Sequence, residues 1–384
     1  MKKKICIDIS AAMQRRAGLG RYAESLVTGL VPLAGETLTL SYHNHRVVPP
    51  LAGLESIPCR RIPLGFRRWV VLVIMAHLSG LSFDSLLAKE GVGLYHATEH
   101  LLPPLRRIPT ILTVHDLFFR QPSYHKWTNR FYLNLAMPIF CRRATHIIAV
   151  SEHTKKDLMA SYQTPADKIT VIEEAAAACF RPQDRHAIAA VRSRYQLPER
   201  YLLFVGTIEP RKNLTRLLRS FMQLHGEGLC AGLVVVGRRG WLYEEFFREL
   251  QQWPAADAVI FPGYVADEDL PALYAGAQVF VYPSFAEGFG LPVLEAMSCG
   301  TPVVCANTTS LPEVAGDAAL LVDPLDQDGL TTAIRQVITS PSFSEGLRLR
   351  GVERAHRYSW ERTARETWQV YQRLLATSSQ PAPA

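Results

Sequence analysis

Two glutamates eight residues apart, Glu287 and Glu295, stand in the segment Ser284-Phe-Ala-Glu-Gly-Phe-Gly-Leu-Pro-Val-Leu-Glu-Ala-Met-Ser-Cys-Gly300. Strand-like runs at 278–283 and 302–306 flank it, so a glycine-containing turn joins a buried parallel strand to a helix beginning near Leu291. Unpartnered N–H groups and the positive dipole end of such a helix attract phosphate. A carboxylate in the turn accepts hydrogen bonds from sugar hydroxyls. The segment therefore offers a phosphate cradle and two hydroxyl acceptors, the parts needed to hold a nucleotide-sugar. An ordinary strand–turn–helix whose glutamates cap and solvate it is the competing reading. The segment alone does not separate the two.

Other residues could share this chemistry. In Gly206-Thr-Ile-Glu-Pro-Arg-Lys-Asn-Leu214, Arg211 and Lys212 stand where a strand ends and a helix begins, with Asn213 as a candidate N-cap. Arginine clamps a diphosphate in bidentate fashion and lysine adds a point charge; neutralising a departing diphosphate is the main task of glycosyl transfer. Two solvated loop charges are the alternative. Val265, in Gly263-Tyr-Val265, lies where a loop could meet a nucleobase. His115, in Thr113-Val-His-Asp-Leu117, ends a strand, where it could hydrogen-bond a sugar hydroxyl or phosphate, with Asp116 orienting the loop. Gly18 and Gly20 precede a helix expected at 23–30 and permit close backbone approach. Ala23 denies them a full dinucleotide fingerprint, so a tight turn competes with a binding loop. Asp326-Gln-Asp328 has Asp-x-Asp spacing but starts a helix, and capping explains it better than a metal.

Positioning these residues requires alternating strands and helices. Apolar strands are expected at 4–9, 38–42, 94–97, 110–114, 146–151 and 169–173, then at 201–205, 233–236, 259–262, 278–283, 302–306 and 319–322. Helices are expected at 214–224, 241–251, 270–275, 329–339 and 361–375. This is an α/β chain with two Rossmann-like, doubly wound parallel-sheet domains facing a cleft. Length agrees, since 384 residues exceed one ordinary domain. The expected division is 1–180, 181–358, a helix at 359–376 crossing back to the first domain, and a disordered tail at 377–384. An alanine-rich stretch and two prolines mark a linker near 176–198.

Charge is uneven. Residues 1–180 carry 22 Lys/Arg against 13 Asp/Glu, whereas the remainder is slightly acidic. The basic half suits an anionic acceptor or an anionic membrane surface. No basic helix with interleaved aromatics reads as a nucleic-acid groove binder. Arg60-Arg61 and Phe66-Arg-Arg-Trp69, with the apolar run after them, read either as an interfacial membrane patch with Trp and Phe at headgroup level or as a buried helix behind a solvated basic loop. The second is preferred. That run has eight apolar residues where a span needs about 20. Seven cysteines without metal or Cys-x-x-Cys spacing fit a reducing compartment, so the expected location is cytoplasmic, including the inner membrane face.

Together these residues resemble glycosyltransferase family 4, enzymes of the GT-B fold. The resemblance is carried by Gly18-Leu-Gly20-Arg21, His115-Asp116, Ser151-Glu-His-Thr, the turn at 206–214, the Glu-x7-Glu segment and Tyr358-Ser-Trp-Glu before the last helix. It implies that Arg211 and Lys212 bind the donor diphosphate and that Glu287 contacts the transferred sugar with help from the amides of Phe289, Gly290 and Leu291. It further implies that Glu295 accepts from ribose hydroxyls, that His115 touches the donor sugar, and that Gly18 to Arg21 line the cleft. Retention of anomeric configuration is implied, with no metal and no cofactor; the nucleotide-diphosphate sugar is the co-substrate. Some members carry Arg where Thr207 stands, which shifts the load to Arg211 and Lys212. The wording Gly-Thr-Ile-Glu-Pro-Arg-Lys-Asn resembles bacterial mannosyltransferases of cell-surface polysaccharide assembly, hence a leaning to GDP-mannose and to a glycan or lipid-linked acceptor. A sugar-nucleotide epimerase and a non-catalytic nucleotide-sugar-binding subunit are the rival readings.

Overall fold

A computed structural model describes residues 3–121 and 127–377. They form two compact units. One comprises the described residues up to 120, Thr128–Glu174 and those from Ser359 on; the other is built from Ala175–Tyr358. Residues 378–384, most of the expected tail, lie outside the described residues, and Thr377 closes a helix.

The first unit is a seven-stranded sheet. Its strands are β1 (Lys4–Asp8), β2 (Leu38–His43), β3 (Cys59–Ile62), β4 (Val92–Ala97), β5 (Thr110–Val114), β6 (His146–Ala149) and β7 (Ile169–Val171). They are ordered β3-β2-β1-β4-β5-β6-β7, and every ladder is parallel. Parallel neighbours need crossover connections; helices supply them after β1, β3, β5 and β6, while irregular segments link β2 to β3 and β4 to β5. Strand order reverses between β1 and β4, the kind of switch point where such sheets leave a crevice beyond their strand ends. The helix Trp360–Thr377 belongs to this unit. The Tyr371 hydroxyl lies 2.6 Å from His96 Nδ1, and Thr363 Oγ1 donates to the Glu173 carbonyl at 2.7 Å.

The second unit is a six-stranded parallel sheet of β8 (Tyr201–Val205), β9 (Gly232–Val236), β10 (Val259–Ile260), β11 (Val279–Tyr282), β12 (Val303–Ala306) and β13 (Leu320–Val322), ordered β10-β9-β8-β11-β12-β13. Its switch point falls between β8 and β11, which pair through Phe280 and Leu203. The helix Leu214–Gly226 follows β8 because Leu214, Leu217, Leu218, Phe221 and Leu224 repeat at helical spacing and bury one stripe.

Three expectations are corrected. The stretch at 176–198 is not all linker: helix Arg185–Arg194 occupies its middle, with Asp184 capping it by accepting from Ala187 N at 2.8 Å. Its last turn is anchored to Asp269 by Arg194 and by the Tyr195 hydroxyl at 2.7 Å, so it packs as part of the second unit. Gly18 and Gly20 do not form a loop, because helix Ala17–Ala34 already contains them. A Cβ on Gly20 would lie 3.1 Å from the Ala11 carbonyl, so this glycine serves contact with the short helix Ser10–Met13; nothing lies within 4 Å of a Cβ on Gly18. Third, Asn213 heads helix Leu214–Gly226 without capping it through its side chain. Its Nδ2 instead donates to the carbonyls of Pro283 at 3.0 Å and Pro324 at 2.8 Å, which ties the turn after β8 to the turn after β11.

Candidate active site

The switch point of the second sheet gathers most of the second unit's candidate residues. The turn after β8 carries Glu209, Arg211 and Lys212, and the turn after β11 carries Glu287. Arg211 Nη1 donates to Glu287 Oε2 at 2.9 Å, while its Nε and Nη2 donate to Glu209 Oε1 at 3.0 and 2.7 Å. Lys212 Nζ donates to Glu287 Oε1 at 2.7 Å and to the Tyr282 hydroxyl at 2.6 Å. Lys212, Glu209 and Glu287 are all buried. A buried charge is tolerated only when paired and hydrogen-bonded, and here each has a partner.

The turn carrying Glu287 is held by its own unit. Glu287 N donates to Thr309 Oγ1 at 2.9 Å, and Ser310 Oγ donates to the carbonyls of Glu287 and Phe289 at 2.7 and 2.8 Å. Gly290, at φ +115°, then turns the chain into helix Leu291–Ser298, a conformation that side chains rarely adopt. Pro292 in the first turn suits the helix start, where a missing N–H costs nothing. The helix starts within a few residues of Glu287, and the amide of Val293 donates to the Gly290 carbonyl at 2.9 Å.

Electrostatics give the members different characters. Burial pushes the Glu287 carboxyl up, but the fields of Arg211 and Lys212 and the hydrogen bond from Lys212 outweigh it and hold it down at about 2. It is therefore an acceptor for hydroxyl protons at neutral pH, not a proton donor. Burial and the neighbouring Arg211 both lower Lys212 from the usual lysine range, against the pull of Glu287 and Glu209. Burial raises the Glu209 carboxyl despite the opposing fields of Arg211 and Lys212.

Glu295 is buried further along helix Leu291–Ser298, where its Oε2 accepts from the Tyr274 hydroxyl at 2.8 Å. The structure thus gives the two glutamates separate partners. Val265 is buried in the loop after β10, two strands away from β8, and lies outside the Arg211–Glu287 cluster. Asp326 caps helix Gln327–Thr339 by accepting from Gly329 N at 2.9 Å.

Gly18, Gly20 and His115 belong to the first unit. His115 follows β5 and is buried, with Nδ1 3.0 Å from Glu174 Oε1 and Nε2 2.9 Å from the Thr98 carbonyl. Burial disfavours its charged form, yet the hydrogen bond and charge of Glu174 with the Thr98 carbonyl raise its pKa overall. Both nitrogens face acceptors, an arrangement that favours the charged ring. A sugar hydroxyl reaches it only by replacing one of these bonds. Asp116 holds the loop by accepting from Phe118 N at 3.0 Å. Ser151 caps helix Glu152–Tyr162, and Thr154 Oγ1 donates to the His115 carbonyl at 3.2 Å, so Ser151-Glu-His-Thr buttresses the histidine.

Sequence reasoning missed Glu209, Tyr282, Tyr274, Glu174 and Glu99. Glu99 lies two residues after β4, at the switch point of the first sheet, and pairs with Arg16. Burial, reinforced by the charge of Asp8, drives its carboxyl up to about 7 against the opposing fields of Arg16 and His115. Its place just past a strand end, in Ala97-Thr-Glu-His100, was a readable signal; its burial was not.

Known proteins bear out the fold and the family. Residues 17–175 match the family Glycosyltransferase Family 4, and residues 190–357 match Glycosyl transferases group 1. O-antigen chain mannosyltransferase B of Escherichia coli is 38% identical over 284 residues, which cover 73% of this chain and 74% of that protein. Serotype-specific mannosyltransferase WbdA of Escherichia coli is 29% identical over 284 residues; the match covers 71% of this chain but only 34% of that relative's length. Among solved structures, sucrose-phosphate synthase from Thermosynechococcus elongatus superposes with a TM-score of 0.80 at 21% identity, covering 98% of this chain and 100% of that one. That likeness bears on the fold alone, two parallel-sheet α/β units of the GT-B type. The chain is a glycosyltransferase of the hexosyltransferase class, and it belongs to glycosyltransferase family 4.

Proposed function

We propose that the protein transfers mannose from GDP-mannose, with retention of anomeric configuration and without a metal, to a glycan or lipid-linked glycan acceptor in cell-surface polysaccharide synthesis. The observation that carries the reading is the pair of cations, half-buried Arg211 and buried Lys212, held against an ionised Glu287 at the switch point of the second sheet. The similarity to an O-antigen mannosyltransferase supports the sugar and the setting.

In this reading the donor diphosphate meets Arg211 and Lys212, which neutralise the charge that builds as the glycosidic bond breaks. Glu287, ionised and an acceptor only, takes hydrogen bonds from the hydroxyls of the transferred sugar. The amides of Phe289, Gly290 and Leu291 add donors at the helix start. Glu295, beside Tyr274, accepts from the ribose. Retention without a second carboxylate placed for double displacement leaves the departing phosphate to take the acceptor proton.

Thermal shift of the full chain with GDP-, UDP- and ADP-sugars tests the donor. A ligand at 100 times its Kd stabilises the native state by about 2.7 kcal/mol, so GDP-mannose should raise the melting temperature most. Incubation with GDP-mannose and an oligomannose acceptor in excess EDTA should release GDP only when acceptor is present. The product should show the donor's anomeric configuration by NMR. Turnover abolished by EDTA, an inverted anomer, or a larger shift with UDP- or ADP-sugars would sink the corresponding part of the proposal.

A further inference from the structure

Helix Phe66–Ser79 in the first unit is apolar on both faces. Its inner face buries Trp69, Val70, Val73 and Ala76. On its outer face Val71 is 60% exposed, Leu72 41%, Met75 57% and Leu78 62%. These positions follow one another at i, i+1, i+4 and i+7, so they form one stripe. A helix on a water-facing surface normally carries polar side chains there, and contiguous exposed apolar surface marks a contact. Both expectations from sequence are thereby altered. The helix is only half buried, and Trp69 faces the core rather than a headgroup layer.

The surroundings specify what covers the stripe. Arg67 and Arg68, exposed on the first turn, lead into it, and among the described residues neither makes an ion pair. No Asp or Glu occurs between Arg60 and Phe83. Leu81, 62% exposed, continues the apolar surface just past the helix. A second copy of the chain packed two-fold on this face would set Arg67 and Arg68 against a helix that carries no carboxylate. A partner both apolar and anionic matches. At 14 residues the helix is about 21 Å long, short of a roughly 30 Å hydrocarbon core. Among the described residues no helix is long and apolar enough to cross a membrane. The geometry suits lying in the plane of a bilayer surface.

We infer that the outer face of helix Phe66–Ser79 docks on a lipid bilayer containing anionic lipids, with Leu72, Met75 and Leu78 entering the acyl boundary and Arg67 and Arg68 meeting headgroup phosphates. The inference goes beyond glycosyl transfer and stands independently of the donor and acceptor.

The test is flotation of the full chain with vesicles of phosphatidylglycerol in phosphatidylcholine and with phosphatidylcholine alone. The wild type should float with the anionic vesicles. A Leu72→Glu, Met75→Glu, Leu78→Glu variant should lose more than about tenfold in partitioning. An Arg67→Gln, Arg68→Gln variant should lose about fivefold per arginine, fading as salt rises. These side chains are exposed, so an unchanged thermal midpoint in both variants verifies that they fold. Absence of wild-type binding, binding that survives both variants, or equal binding to phosphatidylcholine alone overturns the inference. So does a wild-type dimer in sedimentation velocity that the glutamate variant converts to monomer.

Discussion

Each sheet places a buried carboxylate at its switch point, and the two behave oppositely. In the second unit Glu287 faces two cations, Arg211 and Lys212, and is held down at about 2. In the first unit Glu99 is hydrogen-bonded to one cation, Arg16, and is driven up to about 7. Both are almost fully buried, so desolvation alone does not separate them. Direct contact does: Arg211 and Lys212 both hydrogen-bond Glu287, whereas Glu99 hydrogen-bonds Arg16 alone, with the fields of His115 opposing and Asp8 reinforcing its burial. The same strand end thus yields a permanent acceptor in one unit and a carboxyl that titrates near neutrality in the other.

The strongest way to break this contrast is to remove the anion from between its cations. Glu287→Gln leaves Lys212 and Arg211 short of a partner and should cost about 3–5 kcal/mol in urea unfolding at pH 7. Wild-type stability should also reflect Glu287. Its folded pKa lies below its unfolded value, so its contribution is present above the unfolded pKa and is lost as pH falls toward about 2. Lys212→Met, next in size, removes one cation while keeping the bulk. It should lower kcat by about 10²–10³-fold, and a loss confined to KM would mean that the lysine serves ground-state binding alone.

Sharpening the other side calls for Glu99→Gln. With its folded pKa raised, native Glu99 keeps a proton that the unfolded chain has already lost, so it should erode stability as pH climbs from the unfolded value through about 7. The amide should remove that decline and make the protein more stable than wild type at pH 8 by up to roughly 3 kcal/mol. A parallel pH profile in variant and wild type would show that Arg16 controls this carboxyl after all. The smallest effect is expected for Ser151→Ala, which removes the cap buttressing the His115 loop, at about 1 kcal/mol in thermal unfolding.

Much of this was legible before any coordinates. Buried parallel strands are continuous apolar runs, so β1, β5, β8 and β11 announce themselves, and the turns after them follow. The edge strand β3 did not, because Cys59-Arg-Arg-Ile62 is only partly buried and lacks an apolar run. Helix Pro341–Ala355 was equally silent, since Leu347, Gly351 and Ala355 alone are buried along its length. At the site, Arg211, Lys212 and Glu287 could be selected from residue type and position. That Lys212 pairs with both Glu287 and Tyr282, or that Asn213 pins two carbonyls instead of capping, depends on contacts 70 residues or more apart in sequence. No local pattern encodes such distances.

The closing helix Trp360–Thr377 also sets a schedule for birth on the ribosome. The first unit needs Tyr371 to meet the buried His96 ring and Thr363 to meet the Glu173 carbonyl, yet these residues emerge only after the whole of Ala175–Tyr358 has been made. At about 5–20 residues per second that delay is roughly 10–40 s. During it the older half of the nascent chain waits unfinished while the younger half can already fold. A stop codon just before Trp360 would therefore injure the domain translated first, not the one translated last.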